Sequence, residues 1–67
     1  MGTMEVDGVK IKFTEDSKKN LVEITRAVKI FQEKLEKSET LQEKIKNVEI
    51  IRSLYSMYLE IEMRAGE

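Results

Sequence analysis

A chain of 67 residues has room for one domain, and a domain that small hides only about 60% of the surface its unfolded chain would expose. It contains no Cys and no His, so neither disulfides nor a zinc site of the usual ligands can supplement the core; association with another chain is the supplement that remains. Hydrophobic residues at 40%, charged residues at 37% and a net charge of −1 describe a globular chain, not a disordered one.

The amino terminus, Met1 to Val6, carries no basic region and no apolar run, and no segment approaches the roughly 20 apolar residues of a membrane helix. The expectation is a soluble, cytoplasmic protein without a membrane partner. From Met4 to Phe13, apolar and polar residues alternate on both sides of Asp7-Gly8, the strongest short-range hairpin signal. A two-residue loop pairs Val6 with Val9, Glu5 with Lys10 and Met4 with Ile11, which puts Met4, Val6, Val9, Ile11 and Phe13 on one face. An isolated two-stranded ribbon is marginal in water, so that face must lie on the rest of the chain.

Thr14-Glu15-Asp16-Ser17 supplies oxygen atoms and negative charge for the first turn of a helix, predicted over about residues 15–37. Within it Leu21, Ile24, Val28, Phe31 and Leu35 recur at spacings of 3 and 4, a narrow heptad seam. Thr40-Leu41-Gln42-Glu43 matches a capping box. It predicts a turn around Lys37 to Thr40 and a second helix over about 40–64; a single long, kinked helix is the alternative. Two helices of similar length joined by so short a loop fold back antiparallel.

The second helix is the informative one. At about 100° per residue, Leu41, Ile45, Val48 and Tyr55 fall together, with Ile51 and Tyr58 beside them and Ile50, Leu54, Met57 and Ile61 further round. The apolar sector is roughly 200° wide, against about 100° for an ordinary surface helix. One helix and one hairpin cannot cover it, and apolar patches of that size seldom stay bare on a soluble monomer. Ile50, Ile51, Leu54, Met57, Tyr58 and Ile61 are therefore the candidate protein interface. Met57 and Met63 suit an adaptable contact. Ala65-Gly66-Glu67 is expected to end the helix and fray.

A catalytic reading fares poorly. The usual nucleophile and base pairings need Cys or His, and the nearest carboxylate sets, Glu60 with Glu62 and Glu15 with Asp16, read as a solvated surface and a helix cap. No loop or spacing suggests a metal, a phosphate or another cofactor. Nucleic-acid binding is the serious alternative: Lys18, Lys19, Arg26 and Lys29 share the outer side of the first helix, Lys10 and Lys12 extend it, and a dimer would double the patch. A chain pI of about 5.5 and the interleaved Glu15, Glu23 and Glu33 weigh against it.

The sequence thus predicts one α+β, mainly α, domain over residues 1–67: a β-hairpin at about 4–13, then an antiparallel helical hairpin that dimerises into a four-helix bundle. Its expected role is that of a small non-enzymatic interaction module or regulatory adaptor, with a second copy or a larger protein as partner and no small-molecule substrate.

Overall fold

The computed structural model describes residues 2–65; Met1, Gly66 and Glu67, including most of the predicted fraying end, lie outside the described residues. The chain order is β1 (Gly2–Val6), β2 (Val9–Phe13), α1 (Ser17–Lys37) and α2 (Leu41–Ala65). β1 and β2 pair antiparallel in the predicted register, Val6 with Val9, Glu5 with Lys10 and Met4 with Ile11. Asp7 and Gly8 turn the chain at φ +49° and +84°, the left-handed values that a two-residue loop demands and that Asp and Gly tolerate.

Alternation then decides what the ribbon buries. Ile11 is fully buried, Met4, Val6, Val9 and Phe13 pack beside it against the core, and Glu5 and Lys10 are exposed on the reverse face. Asn20 fastens the ribbon to the start of α1: its side chain accepts from the Thr14 amide at 2.8 Å and donates to the Thr14 carbonyl at 2.9 Å. Asp16 is the helix cap, accepting from the Lys18 and Lys19 amides at 3.0 and 3.4 Å, so α1 begins at Ser17, about two residues inside the predicted start.

Along α1 the seam behaves as its spacing implies. Ile24, Val28 and Phe31 are buried and Leu21 and Leu35 half-buried. Ala27, fully buried, belongs to the same core cluster. Helical structure is interrupted between Lys37 and Leu41, so two helices form and the single kinked helix does not. The Thr40 hydroxyl accepts from the Glu43 amide at 3.1 Å, while the Glu43 carboxylate reaches the Glu39 amide at 3.4 Å, one residue earlier than a regular capping box would place it. Asn47, the buried polar residue, donates to Ser38 Oγ at 3.0 Å, and that hydroxyl donates to the Lys34 carbonyl at 2.7 Å. Through this relay the buried amide is satisfied and α2 is tied to the end of α1.

The turn residue Asp7 performs a second task. Lys46 of α2 donates to its carboxylate at 2.8 Å, and Lys34 of α1 lies 3.8 Å from the other oxygen, so one side chain joins the hairpin to both helices. Lys34 also sits 5.3 Å from the centre of the Phe31 ring, within range of a cation–π contact. The Lys46 hydrogen bond holds the Asp7 carboxyl below the usual aspartate range, against the opposing effect of desolvation; the charges of Lys46 and Lys34 add to the lowering. A carboxylate whose pKa is depressed by folding contributes stability above its unfolded-state pKa and loses it as pH falls through the native one. Urea midpoints should therefore fall as the pH drops below about 4, and Asp7→Asn, which keeps the turn and removes the charge, should make that fall shallower. Equal slopes for the two proteins would show that the bridge contributes nothing.

Candidate protein interface

Cα atoms span only 41 × 19 × 13 Å, room in the thinnest direction for two packed layers of backbone and no third. With so thin a body, a helix apolar on two sides can cover only one of them. α2 covers the side carrying Leu54, which is buried, and Ile50, Ile51, Met57, Tyr58 and Ile61, all half-buried and packed against Ile24, Val28, Phe31 and Ile11 or their neighbours in the same core.

The six residues expected from sequence to face a partner are thus the ones that hold the chain's own helices and hairpin together. The reason is geometric: β2 settles on α1, and the hairpin's apolar face then meets α2 along the Ile50–Leu54–Met57 line. That closure is incomplete. Met4 and Val6 of β1 and Ile50, Leu54 and Met57 of α2 line an open groove of about 550 Å³ rimmed by Asp7, Lys46, Glu49 and Ser53.

The bare side is the other one. Leu41 is 73% exposed, Ile45 50%, Val48 41%, Tyr55 50%, Leu59 56% and Met63 73%, and at 100° per residue all six lie within about 40° of one line along the helix. Leu41, Ile45, Val48 and Tyr55 were grouped correctly by spacing. Leu59 stands outside that sequence-based group, although it continues the same 3–4 rhythm about two turns beyond Arg52. Tyr55 also borders a shallow depression against α1 with Thr25, Val28, Lys29, Gln32 and Tyr58.

The outer side of α1 differs in kind. Lys18, Lys19, Arg26 and Lys29 are exposed there, with Val22 among them at 68% exposure. Lys12, Lys18 and Lys19 line one depression together with Glu23. Arg26 is occupied within the chain: its Nη2 donates to Glu23 Oε2 at 2.9 Å and to the Lys10 carbonyl at 3.0 Å. The Arg26 hydrogen bond in turn holds the Glu23 carboxyl below the usual glutamate range.

Among the described residues, no three acidic side chains converge as a metal site would require, and no helix is long and apolar enough to cross a membrane. Comparison with protein-family models, with characterised proteins and with solved structures gives no match.

Proposed function

We propose that this chain is a small non-enzymatic protein-interaction module, a regulatory adaptor of the cytoplasm, which works through apolar surface on α2 and takes a second copy of itself as its first partner. One observation carries the reading: six large apolar side chains stand exposed along the face of α2 that the rest of the chain leaves uncovered. At a round 100 Å² of exposed surface each they present on the order of 600 Å², the upper end for the largest apolar patch on an ordinary monomer. A chain of 67 residues without Cys also gains from association the stability that its small core lacks.

Static light scattering at micromolar concentration should give twice the chain mass of 7.8 kDa, and the thermal midpoint should rise with protein concentration, as it does for any chain that folds with its partner. A mass of 7.8 kDa at every concentration, with helical circular dichroism intact, would overturn self-association and transfer the surface to a different protein.

A further inference from the structure

The rest of the chain treats the two edges of the hairpin differently. Val6 pairs with Val9 across the turn and Met4 with Ile11. In a ribbon closed by a two-residue loop these alternate pairs exchange the backbone hydrogen bonds, and the residues between them turn their N–H and C=O groups outward. On β2 the outward groups belong to Lys10 and Lys12, and α1 takes them up: Arg26 donates to the Lys10 carbonyl at 3.0 Å, and the Glu23 carboxylate accepts from the Lys12 amide. On β1 they belong to Thr3 and Glu5. The sheet ends there, and no backbone hydrogen bond from another described element reaches them. Natural edge strands resist pairing with lysines, prolines and bulges. β1 runs five residues without any of these, and the lysines of the ribbon stand on β2, the covered edge.

Beside the open edge lies the groove between β1 and α2, with Met4, Val6, Ile50, Leu54 and Met57 along it. We propose that an extended, basic segment of another protein adds to β1 as a third strand, its alternate apolar side chains seated in this groove. Strand addition recognises its ligand in two ways: main-chain hydrogen bonds give affinity, here at Thr3 and Glu5, and pockets for alternate side chains give specificity. Charge sets the chemistry of the segment. Lys46, the cation on the groove's rim, is engaged by Asp7 at 2.8 Å, whereas Glu5 and Glu49 form no ion pair with a described residue. A basic segment meets both carboxylates; an acidic one sets like charges opposite each other across the strands, which is destabilising. The site shares no residue with the exposed line of α2 proposed to join two copies, so the two readings stand or fall separately.

The probe is the peptide acetyl-KVTVTVK-amide, in which valine alternates with polar residues between terminal lysines. Added to the isotope-labelled full chain, it should slow hydrogen exchange at the Thr3 and Glu5 amides and shift the Ile50 and Met57 methyl signals, with Ile45 and Leu59 unmoved. Thr3→Pro removes an outward donor and leaves the ladder to β2 intact, since an edge strand accepts proline where the N–H faces away from its partner; it should weaken binding about tenfold or more. Should that variant unfold, the peptide N-methylated at the amides facing β1 makes the same test from the other side, with the same loss expected. Glu5→Lys should weaken binding about three- to tenfold. No change at Thr3 or Glu5 at millimolar peptide would overturn the proposal, as would equal binding by the N-methylated peptide, which would mean apolar contact without strand pairing. Equal binding by acetyl-EVTVTVE-amide would overturn the preference for a basic segment. Protection of the Thr3 and Glu5 amides in peptide-free protein, rising with concentration, would assign the edge to β1 of a second copy and overturn the proposal too. Light scattering separates the readings: a monomer that binds the peptide sinks self-association alone, and a dimer that ignores it sinks strand addition alone.

Discussion

Leu59→Glu is expected to convert the proposed dimer to a monomer that keeps its helices, whereas Leu54→Glu, five residues earlier on the same helix, is expected to unfold the chain. Leu54 is 1% exposed and Leu59 56%, so a carboxylate enters the core in one case and remains in water in the other until a partner arrives. Burying an unpaired charge is costly enough to outweigh the stability of a domain this size. At position 59 the loss falls on association instead. Removing a buried leucine costs roughly 1.5–3 kcal/mol, and two-fold symmetry applies it twice, so dimerisation should weaken by about 10²- to 10⁴-fold. Light scattering and far-ultraviolet circular dichroism on the two variants side by side check both halves. A Leu59→Glu protein that stays dimeric, or a Leu54→Glu protein that stays folded, would reverse the assignment of the two faces.

Phe31→Ala should be the most damaging truncation. Phe31 is the largest of the fully buried side chains, and its ring also supports Lys34, one of the two bases that reach Asp7. Truncation of a buried Phe typically costs about 3–5 kcal/mol, while a chain of this length has roughly 3–10 kcal/mol in total. The variant should show no cooperative thermal transition, or one shifted far down, in contrast to Val22→Ala on the exposed side of α1, which should unfold within a few degrees of the parent. A Phe31→Ala protein with a near-native transition would mean that the core is held by something other than this helix contact.

The hairpin was legible because it is local. Asp7-Gly8 and strict alternation fix both register and face, and no distant residue has a say in either. The break at Ser38–Thr40 was legible for the same reason, through Thr40 and Glu43. The two faces of α2 were not. Spacing reveals that apolar residues extend around most of the helix, but which half is sheltered depends on where the hairpin lands, and that is decided by residues some 40 positions away. Leu54 and Leu59 look alike to any periodicity argument; only the packing of Ile11 and Phe31 separates them. The link from Asp7 to Lys34 and Lys46 was hidden likewise, since a turn aspartate has a sufficient local explanation and its distant partners leave no trace in the spacing. Arg26 shows the converse. On a helical wheel it belongs to a basic outer face, yet its guanidinium is held by Glu23 and the Lys10 carbonyl.

All of this converges on which atoms of two chains touch. In a dimer assembled from one isotope-labelled and one unlabelled copy, filtered nuclear Overhauser spectra should show contacts between chains from the methyl groups of Ile45 and Leu59 and the ring of Tyr55. Contacts between chains confined to Met4, Ile50 and Met57, at the groove under β1, would contradict the account.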